Sequence, residues 1–130
     1  MKKLLILLFS IFISFNSYAN WEWIKVTISS ENGNIFYIDK KTIKNDNGYV
    51  YWYELSDYKK PDKFGDMSAI IYSQGDCGVN RSRILSGIFF KQAMGTIESS
   101  RGDNPNPEWN YTFPGQIDAQ LLDYACNNVN

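Results

Sequence analysis

Apolar and polar residues alternate in short stretches along most of the chain, and turn-forming residues separate the stretches. Between residues 21 and 29, for example, Ile24, Val26 and Ile28 are separated by single polar residues. This period of two is typical of a β-strand that buries one face. The pattern predicts six strands, at residues 21–29, 35–39, 49–58, 67–73, 81–91 and 95–100.

The apolar spacing changes only near the end of the chain. Ile117, Leu121 and Ala125 recur at every fourth residue, with Leu122 beside them, which indicates an amphipathic helix of about ten residues. A helix this short is marginal alone and needs tertiary support. We therefore predict an α+β fold, with an antiparallel sheet of about six strands and a C-terminal helix packed on one face.

The third predicted strand has large apolar side chains on both of its faces. One face carries Tyr49, Tyr51, Tyr53 and Leu55, and the other carries Val50, Trp52 and Tyr58. A single helix covers only one face of a sheet. Either the sheet curves strongly and wraps on itself, or the second face meets a partner such as another copy of the chain.

A polar loop is predicted to follow the sixth strand and to end near Trp109. It begins with Arg101, Gly102 and Asp103, a tripeptide known for integrin binding. Gly102 permits a tight turn, Asp103 favours the hydrogen bonds of a turn, and Pro105 stiffens the exit. We interpret the triplet as a structural turn, and we keep its three residues as candidate ligand-binding residues.

The beginning of the chain has the three-part order of a secretory signal peptide. Lys2 and Lys3 precede an uncharged, mostly apolar run at residues 4–15, and Ala19 ends a small-x-small exit. The apolar run is shorter than the roughly 20 residues that a membrane span requires. We expect residues 1–19 to be cleaved, which leaves residues 20–130 as a single exported domain without a lipid-anchor cysteine at its start.

The two cysteines, Cys77 and Cys126, suggest a disulfide, because an even number of cysteines in an exported protein is usually joined in pairs. Two free thiols or half of a metal site are the alternatives, although the absence of histidine weakens the metal interpretation. A bridge closes a loop of about 50 residues, for which loop-closure entropy gives about 4 kcal/mol of stability.

Charge and residue usage argue against several classes of function. The chain has 13 basic and 14 acidic residues with no long basic run, so nucleic acids and anionic membranes are poor partners. It has no histidine for a catalytic triad or a histidine base, and it has no glycine-rich phosphate loop. We therefore expect a protein that is not an enzyme and that binds neither a cofactor nor a metal ion.

The order and spacing of several residues resemble the surface-adhesin protein E family of bacterial exported proteins. The matching positions are aromatic, acidic, arginine and cysteine residues spread over the chain: Trp21, Val26, Tyr37 to Asp39, Trp52 to Tyr58, Ser68, Asp76-Cys77, Arg81, Arg83, Trp109, Pro114-Gly115, Leu122 and Cys126. The resemblance covers essentially all of the chain after the predicted signal peptide.

This resemblance implies a sheet with a C-terminal helix tied on by a disulfide between Cys77 and Cys126. It implies a bacterial envelope location and binding to host extracellular-matrix or serum proteins and to epithelial cells, with homodimerisation as a further possibility. The lipid-anchor cysteine of some relatives is missing. That departure keeps a second hypothesis open, a soluble periplasmic protein of envelope maintenance or stress with no adhesive role.

Overall fold

The computed structural model describes residues 20–130, so the predicted signal peptide lies outside the described residues. These residues form eight strands, one α-helix and two short 3-10 turns, Lys40–Thr42 and Ala93–Gly95. The strands and the helix are β1 (Trp23–Ile28), β2 (Ile35–Asp39), β3 (Lys44–Asp46), β4 (Tyr49–Asp57), β5 (Ser68–Asp76), β6 (Arg81–Gln92), β7 (Thr96–Asp103), β8 (Asn110–Tyr111) and α1 (Ile117–Asn127).

The strands form one antiparallel sheet in the order β1-β2-β4-β5-β6-β7, with β3 paired to β4 and β8 paired to β6. The predicted α+β architecture is thus confirmed. The pattern missed β3 and β8, which are short and exposed. Asn47 and Gly48 join β3 to β4 with positive φ angles of 52° and 84°, the conformation that a two-residue hairpin requires.

The main core lies between the sheet and α1. It contains fully or nearly fully buried apolar side chains from both layers: Ile38, Ile43, Val50, Trp52, Leu121, Leu122 and Ala125. The strand residues in this set alternate with residues on the other face, as the period of a strand requires. The face of β4 that carries Val50 and Trp52 is therefore the face that the helix covers.

The opposite face of the sheet has a smaller core of its own. Leu55, Ile70 and Phe90 are buried there, and Trp23 and Tyr53 are among the half-buried side chains that pack against them. The 3-10 turn at Ala93–Gly95 lies over this cluster, because a Cβ on its glycine would be 3.2 Å from Cδ1 of Ile70. The chain itself therefore covers part of the second face.

A disulfide joins the sheet to the helix, as expected. Cys77 follows β5 directly, Cys126 lies in the last turn of α1, and their Cα atoms are 6.0 Å apart. The bridge spans 49 positions of the sequence. It ties a short helix to the sheet at the helix's C-terminal end, while Leu121 and Leu122 attach its middle through the core.

The interpretation of Arg101, Gly102 and Asp103 as a turn is wrong. The strand predicted to end at residue 100 continues through Asp103, and all three residues pair with β6. Asn104 extends the ladder by donating its backbone N–H to the carbonyl of Leu85 at 2.8 Å. The turn preference of these residue types is outweighed here, because the edge strand β7 gains backbone hydrogen bonds by pairing with β6.

None of the helical segments between residues 20 and 130 has the length and apolar character needed to cross a membrane.

Candidate binding surface

Six aromatic side chains occupy the face of the sheet opposite α1, and we call this set the aromatic face. Its members are Trp21, Trp23, Tyr51, Tyr53, Tyr72 and Trp109. The pairing of β4 with β5 explains why three of the tyrosines are neighbours. Tyr53 pairs directly with Tyr72, and Tyr51 lies two residues away from Tyr53 on the same side of β4.

Five rings of the aromatic face, all except Trp109, contact one another in an unbroken series. Trp21 stacks on Trp23 with 4.9 Å between ring centroids, and its other neighbour is Tyr53 at 5.3 Å in an edge-on arrangement. Tyr72 lies 4.4 Å from Tyr53 and 6.0 Å from Tyr51. Each such pair contributes about 0.5–1.5 kcal/mol beyond area burial. The series therefore holds a broad apolar surface in one arrangement without burying it completely.

Two arginines at the beginning of β6, Arg81 and Arg83, extend this surface. The guanidinium carbons of Arg81 and Arg83 lie 4.4 Å and 4.3 Å from the ring centroid of Trp109, within the range of cation–π attraction. Tyr49 packs against the same indole at 5.5 Å. Because Trp109 lies in the loop before β8, these contacts fix that loop against the sheet.

Polar contacts hold both arginines in these positions. Arg83 donates from Nε to the side-chain carbonyl of Gln74 at 2.7 Å, and Gln74 donates in turn to the Tyr51 hydroxyl at 3.0 Å. Arg81 forms an ion pair with Asp76 at 3.1 Å. The arginine end and the tyrosine series are therefore one connected surface.

Tryptophan, tyrosine and arginine are the residue types that carry most of the binding energy in protein interfaces. The aromatic face combines all three, and its rings are half-buried, with Trp21 37% exposed. Rigid rings lose little conformational entropy when a partner covers them. Within residues 20–130 no group of three or more acidic or cysteine side chains is placed to hold a metal ion. The arrangement suits contact with a macromolecule.

The candidate triplet lies on the edge strand β7, and its three residues are exposed. Arg101 pairs with Glu98 through both ends of its guanidinium, with an Nε to Oε2 distance of 3.0 Å. This pairing raises the pKa of Arg101 and lowers the pKa of Glu98, in each case mainly through the hydrogen bond. A Cβ on Gly102 would meet no atom within 4 Å, so this position does not require glycine.

The structure does not bring the triplet together with the tyrosine series, because β6 lies between β7 and Tyr72. The sequence pattern did indicate an unusual second face on residues 49–58. It gave no indication that Trp109 would contact Arg81 and Arg83 of β6. That contact depends on how the loop before β8 folds back, which no local spacing encodes.

The fold and this surface define a class of protein: a small α+β sheet domain, tied to its helix by a disulfide, with an exposed aromatic face. The chain belongs to the surface-adhesin protein E family, whose model matches residues 23–127. The resemblance noted from the sequence is therefore confirmed. Among curated protein sequences, none matches the chain significantly.

Solved structures of protein E from Haemophilus influenzae share this fold. Crystal form II superposes with a TM-score of 0.59 at 18% identity, covering 82% of this chain and 87% of that one. A second structure of the same protein gives a TM-score of 0.57 at 16% identity, covering 82% of this chain and 84% of that one. The structure from a non-typeable strain gives 0.54 at 16% identity, covering 80% and 76%. At these identities the likeness shows the fold alone.

Proposed function

We propose that this chain is an exported, non-catalytic protein of the bacterial envelope that binds host extracellular-matrix or serum proteins. Residues 20–130 form its single domain, and residues 1–19 direct its export. The family match over residues 23–127 carries this proposal, because it spans every strand and the helix. We propose the aromatic face as the surface of contact.

Several physical features support the aromatic face as the contact surface. It is broad, its rings hold each other in place, and two arginines at one end supply donors of fixed orientation. Partner proteins bury such anchors in desolvated pockets, where truncating one costs about 2 kcal/mol or more. On the helix-covered face the largest side chain, Trp52, is buried in the core instead.

The test is a binding assay of purified residues 20–130 on immobilised matrix and serum proteins. Trp109→Ala should weaken binding at least tenfold, which corresponds to about 1.4 kcal/mol. Phe64→Ala is the matched control, since Phe64 is an aromatic residue that is 70% exposed in the loop between β4 and β5. Equal losses from both variants, or no binding by the wild type, would refute the proposal.

Self-association is a competing use of the same face. Sedimentation of the wild type and of Trp109→Ala distinguishes the two uses. A dimer that the substitution dissociates would place a second copy of the chain on the aromatic face. A monomer that binds matrix protein would leave the face to a host partner.

A soluble periplasmic protein of envelope maintenance or stress is the alternative function. Residue 20, the first after the expected cleavage point, is asparagine, whereas a lipid anchor requires cysteine there. Cell fractionation combined with labelling of intact cells tests this alternative. Protein found only in the periplasmic extract would favour it, and labelled protein on intact cells would favour the adhesin.

A further inference from the structure

A groove of about 770 Å³ opens on the other side of the molecule, between α1 and the sheet. Its floor is formed by β4 and β5, and its sides are formed by the first half of α1 and by the turn after β1. This size falls within the range of ligand sites in proteins. The groove lies on the face opposite the aromatic face, and Arg83 belongs to its lining as well as to the contacts of Trp109.

Glu54 lies on the floor of the groove with two potential donors beside it. The Ser73 hydroxyl donates to Oε1 of Glu54 at 2.7 Å. Trp52 is only 1% exposed, and its indole Nε1 has no hydrogen-bond partner within residues 20–130. The indole nevertheless lies near enough to Glu54 to lower the pKa of that carboxyl. Buried donors without partners are rare and costly, so this position requires an explanation.

The groove is acidic, and none of the ion pairs found in residues 20–130 involves its carboxylates. Asp118 on α1 and Glu31 in the turn after β1 line it together with Glu54. Arg83 is the basic residue of the lining, but its guanidinium stacks on Trp109 and bonds to Gln74. Burial, with a smaller contribution from Asp118, raises the pKa of Glu54 to about 7. A cation placed at Glu54 would reverse this penalty on the charged form.

The walls of the groove are aliphatic. Ile28 and Ile84 are 51% and 49% exposed at its rim, and Ile71, Ile117 and Leu121 lie deeper. Methylene groups that pack against these side chains would remove them from water. The site therefore combines a carboxyl group at its floor with an apolar channel that leads to it.

We propose that this groove binds a lysine side chain presented by a partner polypeptide, with the ammonium group at Glu54 and the methylene groups between the isoleucines. The Ser73 and Trp52 donors would hold one side of the carboxylate, leaving the other side for the ligand. Arginine fits less well, because a bidentate guanidinium needs both oxygens of a carboxylate, and Ser73 already occupies Oε1.

A polypeptide fits the groove better than a free amine does. The volume of about 770 Å³ exceeds what one lysine side chain fills, and the rim is open and apolar. Asp118 and Glu31 lie at different sides of the opening, where they would attract further basic residues of the same segment. A partner segment that lies across the rim would cover Ile28 and Ile84 while its lysine reaches Glu54.

The experiment titrates purified residues 20–130 with a blocked five-residue peptide, glycine and serine around one central lysine, at pH 8. Binding is followed by calorimetry and by the NMR signal of the Trp52 indole N–H. Matched peptides carry acetyl-lysine or arginine at the centre, and n-pentylamine tests the free amine. Glu54→Gln is the groove variant, and Asp123→Asn on the exposed side of α1 is the charge-matched control.

We expect the lysine peptide to bind, the acetyl-lysine peptide to bind at least tenfold more weakly, and Glu54→Gln to weaken lysine binding by a similar factor. Asp123→Asn should change it less than about twofold, since its side chain is outside the lining. The wild-type affinity should fall about tenfold per pH unit between pH 7 and pH 5, as Glu54 takes up a proton.

Three results would overturn the proposal. These are equal binding of the lysine and acetyl-lysine peptides, unchanged lysine binding by Glu54→Gln, or binding of pentylamine or the arginine peptide in preference to the lysine peptide. The thermal midpoint of Glu54→Gln, measured in parallel, excludes misfolding as a cause of lost binding. Trp109→Ala should bind the lysine peptide normally, so failure of this proposal is separable from failure of the aromatic face.

Discussion

The backbone of Gly75 lies directly against the ring of Trp52, at a distance that leaves no room for a side chain. A Cβ on Gly75 would be 2.7 Å from Cζ3 of Trp52, and it would also collide with Leu122 of α1. Trp52 and Leu122 are both 1% exposed and belong to the main core. The glycine therefore allows the helix and the indole to pack on the same point of β5.

Replacing Gly75 with alanine should destabilise the fold by about 1–3 kcal/mol, because overpacking forces core side chains or backbone to move. In a domain of about 100 residues, this lowers the thermal midpoint by about 4–8 °C per kcal/mol. Gly78→Ala is the control, since a Cβ there meets nothing within 4 Å. Thermal unfolding followed by circular dichroism measures both variants, and equal midpoints would contradict this account of the packing.

Removing the disulfide should cost more than the Gly75 substitution. A double substitution, Cys77→Ser with Cys126→Ser, restores the conformational freedom of a loop of 49 positions in the unfolded chain. The expected loss is about 2–5 kcal/mol in the free energy of unfolding, measured by urea titration. Each single substitution should lose a similar amount. If the double variant kept the stability of the wild type, the bridge would not contribute to holding α1 on the sheet.

Much of this fold was predictable because its signals are local. The apolar pattern predicted β1, β2, β4, β5, β6 and most of β7, and the spacing of Ile117, Leu121 and Ala125 predicted α1. The even number of cysteines in an exported chain predicted the disulfide. The missed strand β3 is entirely polar, so it has no apolar alternation to detect. Its position is instead a consequence of the Asn47-Gly48 hairpin, which returns the chain along β4.

The candidate surface was less predictable, for two physical reasons. Alternation on residues 49–58 showed that a second apolar face exists, but the contact of Trp109 with Arg81 and Arg83 joins a loop to a distant strand. At the triplet, residues 101–103, the residue types predicted a turn where the structure has a strand. Its glycine and aspartate favour turns when isolated, whereas β6 supplies a ladder of hydrogen bonds that outweighs that preference at Gly102.

The triplet also allows a prediction about adhesion. Asp103→Glu should leave folding unchanged, because residue 103 is exposed and pairs with Ser86 through the backbone. We expect beads coated with this variant to attach to integrin-bearing cells as well as wild-type beads do, since Glu98 already engages Arg101. The matched control is Asp123→Glu. Attachment lost only in Asp103→Glu, at an unchanged thermal midpoint, would instead make the triplet an integrin ligand.

The raised pKa of Glu54 predicts how stability changes with pH. Burial raises this pKa from 4.5 to about 7, so the folded state binds a proton that the unfolded state releases above pH 4.5. The contribution of Glu54 to the free energy of unfolding is therefore fully present below pH 4.5. It declines as the pH rises toward 7 and is constant above that pH, after a total loss of about 3 kcal/mol.

Glu54→Gln removes this dependence while keeping a side-chain oxygen that accepts from Ser73. We expect the variant and the wild type to be similarly stable at pH 4, and the variant to be more stable by up to about 3 kcal/mol at pH 8. Urea titrations at the two pH values measure the difference. Asp123→Asn, at an exposed position of the same helix that covers Glu54's face, should show no such divergence. A Glu54→Gln variant that is less stable than the wild type at pH 8 would mean that the carboxylate is already compensated in the folded protein, most directly by the Trp52 indole.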